Sequence, residues 1–64
     1  MEQTIINALR VAAVQYARDA VTARELPRIA EQFTCQAREA SALADRIEEH
    51  GLREVAESEL PANA

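Results

Sequence analysis

The chain has 64 residues, too few for more than one domain. Folding at this length buries only about 60% of the surface the unfolded chain exposes, so stability is marginal without a disulfide, a metal or a partner chain. Eleven acidic and seven basic residues give a net charge of −4; that balance argues against generic nucleic-acid binding, which rests on phosphate neutralisation, but leaves room for a local basic patch.

Single residues narrow the field further. Cys35 is the only cysteine, so no disulfide can close within one chain, and a lone thiol fits a reducing compartment. His50 and Cys35 are the only soft metal ligands, and structural zinc requires four. No cofactor or metal is expected. The segment MEQTIINALRVAAV lacks the basic flank of a secretory signal. No apolar run approaches the roughly 20 residues that span a bilayer. A soluble, cytoplasmic protein without a membrane partner is therefore expected. All seven basic residues are arginine and 14 residues are alanine, a bias that G+C-rich coding produces. Guanidinium forks selected for bidentate contacts are the functional alternative.

The first predicted element is a helix over about residues 2–24. Ile5, Ile6, Leu9, Ala12, Ala13, Tyr16, Ala17, Ala20 and Ala23 fall on one broad face at about 100° per residue. Ala13, Ala17 and Ala20 lie on adjacent turns, and such small side chains let a second helix approach to the short end of the roughly 8–10 Å range. Gln3, Asn7, Arg10, Gln15, Arg18, Thr22 and Glu25 occupy the other side. Val11, Val14 and Val21 sit among these polar residues. Val14 and Val21, seven apart, make a narrow second stripe. A simple hairpin needs one stripe, so the second predicts contact with another chain.

Arg24-Glu25-Leu26-Pro27 forms the connection. Proline at the first helical position loses no intrahelical hydrogen bond, and the residue before it avoids the helical region. Together they predict a tight hairpin turn around residues 24–26. Thr22 and Glu25 also have capping-box spacing, and one long helix kinked at Pro27 is the alternative.

The second helix is predicted over residues 27–50. Its apolar stripe is Ile29, Ala30, Phe33, Ala37, Ala40, Leu43, Ala44 and Ile47, alternating threes and fours as in a bundle seam. Mixed charges fill the remaining faces. Gly51, the only glycine, is a natural stop, and His50 complements the helix dipole. A third helix follows over about residues 52–59, with Leu52, Val55, Ala56 and Leu60 at helical spacing and Pro61 as its stop. It is too short to stand alone, so it docks on the hairpin, extends the second helix or folds on a partner. Residues 1–60 form the predicted domain, and 61–64 a disordered tail.

No catalytic motif is present. One glycine cannot build a phosphate loop, and no Ser/His/Asp set has an oriented base. A chain this small can hardly enclose a dry pocket, so an enzyme is not expected. Cys35 lies on the flank of the second helix, where Arg38 alone is too little to activate the thiol. Tyr16 reads as a core aromatic with its hydroxyl at the edge, or as a contact residue at a partner surface.

Arg10, Arg18 and Arg24, with Asn7 and Gln3 nearby, lie on the outer side of the first helix. In a two-fold hairpin dimer two such arcs would meet side by side. Size and layout here resemble the plasmid-encoded, RNA-binding helical-hairpin dimers of the Rop type, which use the outer face of their first helices. The resemblance is one of architecture. Where such a face uses phenylalanine, Val14 stands here, and no motif is shared, so no family is assigned.

The expected fold is all-α: a helical hairpin with a short third helix, pairing into a four-helix-bundle homodimer. The expected function is that of a small acidic protein-binding module, an accessory regulator or inhibitor of the kind phages and plasmids encode. Val14, Tyr16 and Val21 would be its apolar anchors, and Arg28, Glu31, Arg38, Asp45, Arg46 and Glu49 its rim or steering contacts. The alternative is nucleic-acid binding through Asn7, Arg10, Arg18 and Arg24. A third possibility is a small-ligand site built between subunits.

Overall fold

The computed structural model describes residues 1–59 as three helices: α1 (Glu2–Thr22), α2 (Pro27–His50) and α3 (Leu52–Glu59). No strand occurs among the described residues. The expected tail at 61–64, the stop at Pro61 and the apolar position Leu60 lie outside them. None of the described helices is long and apolar enough to cross a membrane.

α2 spans the predicted residues, and α3 begins at the predicted Leu52 and continues to the last described residue. α1 instead ends at Thr22, short of residue 24. The Ala23 N–H still donates to the Asp19 carbonyl at 2.9 Å, but the Arg24 N–H switches to Val21 at 3.2 Å and the Leu26 N–H to Ala23 at 2.7 Å. These three-residue closures tighten the last turn and reverse the chain. Thr22 donates its hydroxyl to the Arg18 carbonyl at 3.1 Å and takes no part in a capping box. Leu26 is extended, at φ −119° and ψ 80°, as the residue before proline should be, and Pro27 opens α2. α1 and α2 then run back to back, so the connection is a hairpin and not a kink.

The core sits at the open end of the hairpin, away from the turn. Ile6, Ala44, Ile47 and Val55 are buried, with Ile5, Leu9, Leu43 and Leu52 packed around them. Ala44 is wholly buried, and its small side chain allows α1 close to α2 at this level. α3 docks across this end through Val55 and Leu52 and does not extend α2.

The corner between α2 and α3 is Gly51, at φ 91° and ψ 148°. Its N–H donates to the Ile47 carbonyl at 2.8 Å, and its own carbonyl accepts from Val55 at 3.2 Å, so one residue ends α2 and begins α3. Two side chains hold α3 down. Glu2 Oε1 accepts the Leu52 N–H at 2.6 Å, capping α3 from the start of α1. Arg46 donates to Ser58 at 2.9 Å and pairs with Glu59 at the far end. Glu2→Ala removes the cap, leaving an orphan N–H at the α3 terminus. We expect a loss of about 1 kcal/mol, read by urea unfolding, with faster amide exchange in residues 52–59 than in α2.

The half of the hairpin near the turn is different. The apolar stripe of α2 is continuous in sequence, yet Ala30, Phe33, Ala37 and Ala40 are only half-buried, and Ile29 is 43% exposed. Tyr16 stacks on Phe33 with ring centroids 6.3 Å apart and an interplanar angle of 26°. Alanines let the helices approach but give too little bulk to seal the seam from both sides. α3, which seals it at the open end, does not reach this far.

Candidate partner-binding surface

The two helices of a hairpin share two broad sides. α3 covers part of one. On the other, α1 presents Gln3, Asn7, Arg10, Val14, Ala17 and Val21, and α2 presents Thr34, Arg38, Ser41, Asp45 and Glu48. Two observations tie these rows together. Arg10 bridges to Asp45 at 3.1 Å and to Glu48 at 3.3 Å. Nearer the turn, Ala17, Ala20, Val21, Arg24, Ala30, Thr34, Ala37 and Arg38 line one open groove of about 570 Å³.

The character of this side changes along its length. Its open-end half is polar, with one arginine bridging two carboxylates. The hydrogen bonds to Asp45 and then Glu48, both from one guanidinium nitrogen, raise the Arg10 pKa further above its ordinary value. Asn7 accepts from Gln3 at 2.9 Å. Its turn half carries uncovered apolar side chains, with Arg24 and Arg38 among them: Val14 is 54% and Val21 64% exposed. Large apolar side chains standing this far out on one side of a small chain mark a place where water is to be excluded.

The residues expected to bind a partner fall into three groups. Val21 and Arg38 line the groove just described, and Val14 stands on α1 with Arg10, Val11, Gln15 and Arg18. Arg28 and Glu31 stand on the outer surface of α2 beside Gln32, Cys35, Gln36 and Glu39, and Glu49 is exposed. None of Arg28, Glu31, Arg38 or Glu49 forms an ion pair among the described residues. Tyr16, Asp45 and Arg46 have internal partners instead: Phe33, Arg10 and the end of α3 respectively.

The alternative nucleic-acid face divides too. Arg10 is held by two carboxylates. Arg18 is exposed beside Val11 and Val14, and Arg24 turns toward the groove. Arg10 lines the same shallow pocket as Arg18, while Arg24 lines the groove near the turn.

Sequence reasoning missed Thr34, and it missed that Ala30 and Ala37 face outward as well as inward. The signal was available on α1, where 3, 7, 10, 14, 17 and 21 alternate fours and threes. It was available on α2 at 34, 38, 41, 45 and 48. Cys35 is an exposed free thiol. No group of three metal-ligating side chains gathers among the described residues. No protein-family model matches the chain, and no curated protein or solved structure is significantly similar to it.

Proposed function

We propose that the chain is a non-enzymatic binding module that pairs with a second copy into a four-helix bundle. The pair acts on another protein through the outer surface of α2, as an accessory regulator or inhibitor. One observation carries the reading: the hairpin leaves its apolar surface uncovered along the turn half while its core occupies only the open end. A short chain with half a core gains most from burying the rest against a partner. On the outside of α2, Arg28, Glu31 and Glu49 form no ion pair among the described residues, which leaves them to steer and orient an encounter. A single exposed thiol suits the reducing cytoplasm.

Nucleic-acid binding has less support, because Arg10 is neutralised within the chain and the net charge is −4. The test uses Arg28 and Glu31, since reversing Asp45 would also break its pair with Arg10. Wild type and an Arg28→Glu/Glu31→Arg variant are immobilised and exposed to extract of the native host. A protein retained by wild type and lost from an equally helical variant is the expected result. Equal retention by both counts against this surface, and a steeply salt-dependent gel shift with RNA or DNA would favour the alternative.

A further inference from the structure

We infer that the turn-half groove docks an acidic amphipathic helix of another protein, with its apolar face on the alanine floor and two carboxylates on Arg24 and Arg38. The inference rests on the protein-binding half of the reading above, names the chemistry of that partner, and does not depend on self-association.

Charge chooses the occupant. The chain has a net charge of −4, yet two arginines and no acidic residue line this groove. Arg24 and Arg38 are exposed and form no ion pair among the described residues, whereas Arg10, Arg46 and Arg53 are all paired. Thr34 donates its hydroxyl to the Ala30 carbonyl at 3.0 Å, and the other lining side chains are alanine and valine. The two guanidiniums are therefore the free side-chain donors of the groove, and a carboxylate matches their fork.

Position sets the spacing. Arg24 follows the end of α1, at the turn, and Arg38 is the lining residue of α2 farthest from it. From Ala30 to Arg38 the rise along α2 is about 12 Å, and Ala20, Val21 and Ala37 help to floor the space between the two cations. An occupant needs carboxylates about two helical turns apart with apolar residues between them. A helix with acidic residues at i and i+7 and apolar residues at i+3 and i+4 meets both demands on one face. Alanine on both walls lets its backbone approach closely.

The chain already uses this mode once. α3 is an acidic helix that lays Leu52 and Val55 on the core while Arg46 of α2 takes Glu59. The turn half has the arginines and the apolar wall, and no described helix lies over them. A second copy matches the groove less well. Its α3 has its apolar face buried on its own hairpin, and its exposed Val11 and Val14 stand beside Arg10 and Arg18, which would bring arginine against arginine. Those valines lie outside the groove and stay open to self-association. A nucleic-acid strand would gain only two phosphate contacts over an apolar floor.

Fluorescence anisotropy with two labelled peptides tests the inference. Each is an alanine-rich helix of about 15 residues, long enough to hold helix in water, with central leucines flanked by two glutamates seven apart or by two lysines at the same places. Wild type should bind the glutamate peptide, and Arg24→Glu/Arg38→Glu should bind it about tenfold more weakly or worse. Far-ultraviolet circular dichroism should not change, since neither arginine has an ion-pair partner among the described residues. The lysine peptide should reverse the order and prefer the variant, which a folding defect cannot produce. Arg53→Glu, on α3, should bind the glutamate peptide as wild type does. No binding of the glutamate peptide, or equal affinity of wild type for both peptides, would overturn the inference. RNA binding that the double variant loses would also overturn it, as would a wild-type dimer that the double variant dissociates and the peptide leaves intact. A host protein retained equally by wild type and the double variant would overturn the groove and leave the protein-binding reading standing.

Discussion

Ile47→Ala should abolish cooperative unfolding of the chain at room temperature or bring it to the edge of loss. Ile47 is 2% exposed and sits in a core that has four buried side chains among the described residues. Removing three carbons there costs the transfer free energy and leaves a cavity, about 2–5 kcal/mol together. A 64-residue chain has on the order of 3–10 kcal/mol in total. Neighbours cannot collapse into the gap, because Ala44 is already small and α3 is held at both ends by Glu2 and Arg46. Ile29→Ala deletes the same atoms at a site that is 43% exposed, and should cost less than about 1 kcal/mol. Thermal unfolding followed by circular dichroism at low concentration separates the two. Equal losses would mean that the core extends to the turn, contrary to the structure.

Gly51→Ala should be the second most damaging change, although it adds one methyl group that clashes with nothing. The added Cβ would meet Glu2 Oε1 at 3.7 Å, an ordinary contact. The cost comes from the backbone. At φ 91° and ψ 148° Gly51 occupies a region essentially reserved for glycine. An L residue there is strained by about 1–3 kcal/mol. α3 can relieve the strain only by rotating away, which takes Val55 and Leu52 off Ile47 and breaks the bond from Leu52 to Glu2. The damage should therefore appear first as faster amide exchange and proteolysis in residues 52–59. Chemical synthesis of a 64-residue chain allows a decisive comparison: D-alanine at position 51, whose preferred φ is positive, should restore the stability that L-alanine loses. Wild-type stability for the L-alanine chain would contradict the strain argument.

Much of the fold was legible in its punctuation. Pro27 read as a hairpin turn, with a kink in one long helix as the alternative, Gly51 read as a stop, and the helix between them begins and ends where they stand. The end of α1 was harder to place. Ala23 and Arg24 carry no breaker, and the helix closes by a change of hydrogen-bond partner that leaves no mark in residue type. Burial was the larger gap. The α2 stripe from Ile29 to Ile47 reads as one surface, yet only Ala44 and Ile47 are sealed, because sealing depends on the reach of α3 and on alanine volumes opposite.

The candidate surface was legible in part for a similar reason. Val14 and Val21 stand out by their spacing of seven among polar neighbours. Charge alone grouped Asp45 and Arg46 with Arg28 and Glu31. Their separation depends on helix register, which sets Asp45 beside Arg10, and on the path of α3, which carries Glu59 to Arg46. Contacts between residues distant in sequence are set by packing, and a local pattern does not encode them.

The most direct test of the account is sedimentation equilibrium of the wild-type chain at micromolar concentrations, with thermal unfolding of the same samples. Half a core and an uncovered apolar side predict a species of twice the 7.1 kDa chain mass and a melting temperature that rises with concentration. A 7.1 kDa monomer at every concentration, melting cooperatively at one fixed temperature, would contradict it.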